Sequence, residues 1–292
     1  MMRSLYSGVS GLRNHQTRMD VIGNNIANVN TTGYKASRTV FQDVYSQTIR
    51  AASLGTPTLG GTNPSQIGLG VMLGTIDTLF TTGATQRTDN PSDLKLDGDG
   101  FFVVDMNGKA TSGGVKYTRA GNFYVDNVGN LVTSDGYFVM GIKLYDAATD
   151  TPVPSPPDPA TGTVTEAQLD QIDLSAYTNI SFDSKGVVWG YTASGLKVAA
   201  AQIALAMFTN NSGMEKAGQS LYDWSASSGQ PEYTVAGVKG AGGISPGALE
   251  MSNVDLAAEF TDMIITQRGF QANSRVITVS DTLLEELVNL KR

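Results

Sequence analysis

The chain has 292 residues, enough for about two domains that each bury an ordinary core. Only 16% of the residues are charged, and 33 glycines stand against 10 prolines. With no cysteine and a single histidine, His15, disulfides, thiolate catalysis, cysteine zinc sites and iron–sulfur clusters are excluded. A net charge of −7 argues against nucleic acid, whose phosphates call for clustered lysine and arginine. No run approaches the roughly 20 apolar residues of a membrane span, so no membrane insertion is expected. Arg3 is not followed by an apolar stretch, because Ser4, Ser7, Gly8 and Ser10 interrupt it. A cleaved secretory signal is therefore not expected.

Between residues 3 and 28, Leu5, Val9, Leu12, Gln16, Met19, Gly23 and Ile26 alternate in steps of four and three, with Ile22 widening the stripe. That spacing predicts a helix with a coiled-coil seam. Gly8, Gly11 and Gly23 each cost such a helix up to about 1 kcal/mol relative to alanine, a cost that close helix–helix approach offsets. Asn28, Asn30 and Gly33 end the helix. Residues 46–67, rich in Ser, Thr and Gly with Pro57 and Pro64, read as an extended connection.

The middle reads as β. Short apolar runs at Phe101–Asp105, Asn122–Val125, Asn130–Val132, Tyr137–Gly141 and Gly186–Tyr191 are separated by turn formers such as Asn107-Gly108, Asp135-Gly136 and Lys185-Gly186. An antiparallel sandwich or barrel-like domain follows from that spacing. Residues 146–171 hold Pro152, Pro154, Pro156, Pro157 and Pro159 and read as a surface linker or small insertion.

At the C-terminus Ser252 and Asp255 read as a capping-box-like helix start. Leu256, Phe260, Met263, Gln267, Phe270, Ser274, Ile277, Asp281, Leu284 and Val288 keep the four-three alternation. A second stripe, Val276, Val279, Leu283, Leu287 and Leu290, runs beside it. From Asn253 to Asn289 the helix would be roughly 55 Å long. The first helix carries Arg3, Arg13 and Arg18 against Asp20, while six carboxylates oppose two arginines on the second, so the two suit each other as partners. Two stripes need more than one partner helix, which points to a third element or to other chains.

The fold class is therefore α+β. Residues 1–30 with 252–292 form long terminal helices in a coiled-coil-like layer, 31–72 an extended connector, and 73–145 with 172–251 a central antiparallel all-β domain. Chemistry is not indicated. Asp97, Asp99 and Asp105 miss the calcium-loop pattern, since Phe101 stands at its fifth position and no glutamate closes it. Gly68, Gly70 and Gly74 miss the dinucleotide fingerprint by one residue. Asp126 with Asp135 sits in turn signals, and His15 reads as an interface or solvated residue. No catalytic residue, cofactor or metal is expected. A structural polymer subunit, a monomeric binding module (for a carbohydrate, for example) and an ordinary soluble protein stay open on pattern alone.

Several long motifs in order resemble the bacterial flagellar rod and hook proteins. They are Asp20-Val21-Ile22-Gly23-Asn24-Asn25-Ile26-Ala27-Asn28 running on to Gly33-Tyr34-Lys35, Asp99-Gly100-Phe101-Phe102, Tyr117-Thr118-Arg119-Ala120-Gly121-Asn122-Phe123, Gly129-Asn130-Leu131-Val132, Ser252-Asn253-Val254-Asp255-Leu256, and Gln267-Arg268-Gly269-Phe270-Gln271-Ala272-Asn273-Ser274. Together they span nearly the whole chain apart from residues 146–171. Within the family, Gln202–Phe208 and the ending Leu287–Arg292 are more similar to a short hook protein, a flexible joint. The connection at 46–67 resembles an insertion of distal rod proteins, the stiff drive shaft, which is the second reading.

The resemblance implies a hollow helical homopolymer outside the cell or in the basal body. It implies export through the flagellar type III apparatus, and, for a hook, the distal rod protein, a hook cap protein and a hook–filament junction protein as neighbours. It also implies an inter-subunit helical seam lining the channel, from Leu5, Val9, Leu12, Met19, Ile22 and Ile26 on the first helix. The second helix would contribute Leu256, Phe260, Met263, Phe270, Ile277, Leu284 and Val288. Residues 31–72 would then brace neighbouring subunits, with the β domain as the outer wall.

Overall fold

A computed structural model describes residues 2–55, 60–108, 114–146, 151–152 and 164–290. The chain divides into two compact units. One comprises Met1–Ala27, Ala36–Leu79 and Val254–Arg292; the other comprises Asn28–Lys35 and Phe80–Asn253.

The first unit is built on helices α1 (Met2–Ala27) and α2 (Leu256–Asn289). They run antiparallel: an added Cβ at Gly8 would meet Ile277, one at Gly11 would meet Asn273, and one at Gly269 would meet His15. Helix α2 begins one turn later than the Ser252 reading, because Asp255 itself is the cap. Its carboxylate accepts from the backbone N–H of Ala257 at 2.9 Å and of Ala258 at 3.4 Å. That satisfies orphan donors of the first turn and places negative charge at the positive end of the helix. At 34 residues the helix is about 50 Å long.

The extended connector is largely made of paired strands. Strands β1 (Ser37–Asp43) and β4 (Val71–Thr78) pair antiparallel with a bulge between Val40 and Phe41, and the Asn14 amide donates to the Val71 carbonyl at 2.7 Å. Between them β2 (Ser46–Arg50) and β3 (Ser65–Gly68) form a separate two-stranded ribbon, extended by the bridge Ser53–Thr62. Strand β4 thus belongs with the helices and not with the β domain that the sequence reading began at residue 73.

The second unit is an antiparallel β domain. Its main sheet runs in the order Thr178–Phe182, Val187–Tyr191, Lys197–Met207, Phe138–Lys143, Phe101–Asp105, Val115–Thr118, Leu221–Asp223, Glu215–Gly218. The 11-residue strand Lys197–Met207 is the spine, pairing in turn with 187–191, 138–143, 101–105 and 232–235. Successive side chains point to opposite faces, and both faces are covered. Phe102, Leu131 and Ile203 enter one apolar cluster, while Phe101, Met140 and Ala204 enter the other. This explains why 101–105 reads as a continuous apolar run rather than an alternating one. Much of the Pro-rich stretch, 147–150 and 153–163, lies outside the described residues. Its last part belongs to the domain: Val164 and Leu169 are buried, and Asp170–Gln171 pairs with the strand 138–143.

The three α1 glycines and Gly269 separate cleanly by what surrounds them. Nothing lies within 4 Å of a Cβ built at Gly23, whereas one at Gly269 would stand 2.7 Å from the His15 ring. Gly23→Ala is therefore expected to raise helix stability by up to about 1 kcal/mol, and Gly269→Ala to lower it by forcing the ring aside. The midpoint of the thermal loss of helical circular dichroism checks both.

Candidate assembly surface

The face that α2 turns to α1 is made mostly of small and polar residues, interspersed with Met263, Ile277 and Leu284. Thr266 and Ser280 are the buried ones, and Gly269, Asn273, Ile277 and Leu284 are partly covered. An ion pair from Arg18 to Asp262 at 2.9 Å flanks the crossing. Small residues let the backbones approach closely but conceal little apolar area, and most large side chains of α2 lie elsewhere. Phe260, Ile264, Ile265, Val276, Leu283 and Leu287 are exposed, as are Val279 at 57% and Leu290 at 82%.

The expected seam residues accordingly fall into two sets. Ile22 is buried; Leu5, Leu12, Met19, Ile26, Met263, Ile277 and Leu284 are half-buried; Val9, Leu256, Phe260, Phe270 and Val288 are exposed. The first eight are at least partly covered, and the last five are open. All five residues of the second stripe are exposed, with Leu290 the most open.

His15 sits in the helical unit, edge-on to Phe41 with ring centroids 6.2 Å apart. Its Nδ1 is buried without a hydrogen-bond partner. Burial first, and the Arg18 charge second, hold its pKa below the ordinary 6.5.

The signature residues work at both ends of one segment. Asn25 is buried: its amide donates to the Ser37 carbonyl at 2.9 Å and to Glu259 Oε1 at 2.9 Å, and its Oδ1 accepts from the Ser37 N–H at 3.0 Å. One side chain thus ties α1 to β1 and α2. Asn24 and Ala27 are exposed and Asn28 is half-buried. In the β domain, Gly33 adopts φ 67°, and a Cβ there would lie 2.6 Å from the Ala120 nitrogen, so only glycine fits. The Tyr34 ring lies under the Lys216 ammonium at 5.0 Å.

Lys35 is wholly buried, its ammonium 2.6 Å from Glu250 Oε1 and donating to the Thr81 carbonyl at 2.7 Å. Arg119, also fully buried, stands 3.5 Å from Glu250 Oε2. Glu250 accepts a further hydrogen bond from the Gly83 N–H at 2.9 Å. Burial pushes the Lys35 pKa down, against the opposing pull of Glu250. Glu250 and the partner role of Arg119 are not legible in the sequence, because one buried carboxylate meets cations 215 and 131 positions away. Among the described residues, no three acidic, histidine or cysteine side chains gather as a metal site. The carboxylate of Asp97 is engaged by Lys95 at 2.5 Å and by Ser245.

Comparison with known proteins matches three stretches. Residues 5–35 match "Flagella basal body rod protein", 95–190 "Flagellar hook protein FlgE/F/G D1 domain", and 245–290 "Flagellar basal body rod FlgEFG protein C-terminal". The flagellar basal-body rod protein FlgG of Bacillus subtilis is 48% identical, with the whole of both chains covered. This chain belongs to the flagellar rod and hook protein family. The hook protein FlgE of Borreliella burgdorferi is 33% identical with both chains covered, as is that of Treponema pallidum at 31%. Both hook alignments are much longer than this chain, at 446 and 468 positions against 296 for the rod protein. The full-length similarity thus favours the rod reading over the hook reading. These relatives are structural components of the flagellum and not enzymes. No helix among the described residues is long and apolar enough to cross a membrane.

Two expectations follow for this flagellar axial protein. Glu250→Gln leaves two buried cations without their counter-charge, and is expected to cost the β domain about 3–5 kcal/mol in denaturant unfolding. For His15, a depressed pKa means that the folded unit binds fewer protons than the unfolded chain. Its contribution is complete above pH 6.5 and is lost as pH falls through the lowered value. Helix stability measured between pH 7 and 4.5 should fall accordingly, and less so in His15→Gln.

Proposed function

We propose that this chain is a distal rod subunit that polymerises into a straight, hollow, stiff tube of the flagellar basal body. The observation that carries the reading is the 48% identity to a rod protein over the full length of both chains. Alignment to hook relatives requires well over a hundred additional positions. The unpartnered apolar stripes of α2 support polymerisation, since a monomer gains nothing from holding Val279, Leu283 and Leu287 in water. In an assembled tube, helices of neighbouring copies would cover them as a coiled-coil-like inner layer.

The β2–β3 ribbon supports stiffness. It exposes Tyr45, Ile49, Leu54 and Ile67, and an isolated two-stranded ribbon is marginal in water unless something packs on it. Contact with neighbouring copies would stabilise it and brace the wall. Export through the flagellar type III apparatus without a cleaved signal belongs to this reading. The hook cap and the hook–filament junction proteins belonged to the hook reading and are not carried over.

Electron microscopy of tubes assembled from the purified chain tests the proposal. Straight, stiff tubes are expected, and deletion of 46–67 should make them bend; curved, compliant tubes from the intact chain would restore the hook. Phe270→Asp, which charges an exposed position of α2, should abolish tubes while leaving the β-domain signal intact. Ile277→Asp should do the same by separating the paired helices. Normal tubes from Phe270→Asp would remove the helical seam from the mechanism.

A further inference from the structure

The β domain holds a cavity of about 570 Å³ that the family reading leaves without a role. Its walls come from the strands Val115–Thr118, Glu215–Gly218, Leu221–Asp223 and Glu232–Val235 and from the turn Glu166–Gln168. Tyr117 and Tyr233 close the floor, with their hydroxyls 3.2 Å apart and satisfied by each other. Trp224 stands on the wall with 52% of its surface open.

The charges around it are not balanced. Glu215 and Asp223 are directly opposed partners of one antiparallel pair, an arrangement of like charges that destabilises a sheet. Lys116 donates to Asp223 and neutralises that carboxylate, and among the described residues no cation pairs with Glu215 or, from the turn, Glu166. An excess of carboxylate beside an open indole face is the chemistry that receives an ammonium or guanidinium group on an apolar stem. The same domain seats its own cations on rings three times: Arg119 on Phe101 at 5.1 Å, Lys197 on Trp189 at 5.1 Å and Lys216 on Tyr34 at 5.0 Å.

We propose that this cavity receives a lysine or arginine side chain from a second copy of this chain. The proposal rests on the tube reading above, because a helical polymer repeats a heterologous contact. One surface of each subunit must then fit a different surface of the next. The chain carries exposed cations for such a contact, Lys185 and Arg275 among them.

Two measurements test it. In a Trp189→Phe background the remaining indole is Trp224, and titration with N-acetyl-arginine N-methylamide should change its fluorescence saturably. Glu215→Gln should weaken that response about tenfold, as should added salt. In assembly, Trp224→Ala and Glu215→Gln, both surface changes, should raise the concentration needed for tubes about tenfold with circular dichroism unchanged. Silence of Trp224 toward the probe, or variants that assemble like the parent, would overturn the contact while the tube reading stands. A parent that forms no tubes at all would overturn both.

Discussion

Helices α1 and α2 cross through Gly8, Gly11, Gly269, Asn273 and Ser280, and the use of small residues there governs what the rest of the helical unit can do. Close approach replaces the water around two helix backbones with direct contact, and it offsets the helix-propensity cost of the glycines. Beyond Met263, Ile277 and Leu284 it does not consume the large apolar side chains of α2, which stay on the outside. A crossing made by leucines would have buried that surface internally and left a self-sufficient hairpin. The choice of small residues at the crossing is thus the local cause of an apolar exterior. At about 25 cal/mol per Å² of apolar area, covering a stripe of five aliphatic side chains contributes several kcal/mol per subunit. Repeated along a polymer, that is enough to hold a tube together without covalent links.

The family signature has a related economy. Asn25 satisfies its amide within the helical unit, where three hydrogen bonds converge on one buried side chain. Ten residues on, Lys35 is committed to a buried carboxylate inside the β domain. Neither contact tolerates a substitute of different chemistry. An apolar residue at position 25 would orphan the Ser37 N–H, and an apolar residue at 35 would upset the balance that Glu250 keeps between two cations. A buried ion cluster of this kind is weak evidence for stability, since its desolvation cost is of the same order as its attraction. What it enforces is geometry: Glu250 cannot satisfy Lys35, Arg119 and the Gly83 N–H in any register but this one.

These two features also mark where sequence reasoning reached and where it stopped. Five strands of the β domain were legible because turn formers bracket short apolar runs, and Phe101–Asp105 is recovered to the residue, whereas the spine strand Lys197–Met207 was not read. Both terminal helices were legible from their four-three alternation. Which side of that alternation faces inward was not. The period of an intramolecular crossing and that of a polymer seam are the same, so Met263 and Phe270 belong to one pattern although the first is half-buried and the second exposed. Asp255 rather than Ser252 caps α2, because either residue type can accept from the first turn and only the backbone path decides between them. The connector read only as an extended stretch because serine, threonine and glycine dominate part of it, whereas its β1–β4 pairing depends on partners about 30 to 40 residues apart. The Lys35–Glu250–Arg119 cluster is beyond any local pattern.

The difference between a stiff tube and a bending one is a difference in how many contacts must change when the tube curves. Curvature compresses one wall and stretches the other, so every lateral contact that cannot slide resists it. The terminal helices alone do not supply that resistance selectively, because rod and hook proteins share them. The β2–β3 ribbon is a candidate that does. Its apolar residues, Ile49 and Ile67 among them, project from a two-stranded element that its own unit does not cover. Its ladder hydrogen bonds fix the spacing of those side chains, so a neighbour that packs on them meets a rigid surface rather than a yielding loop. A glycine- and serine-rich linker of equal length would span the same distance and carry no bending load. Stiffness in this reading comes from pairing the connector into a ribbon, and the apolar residues on that ribbon are what couple it to the next subunit.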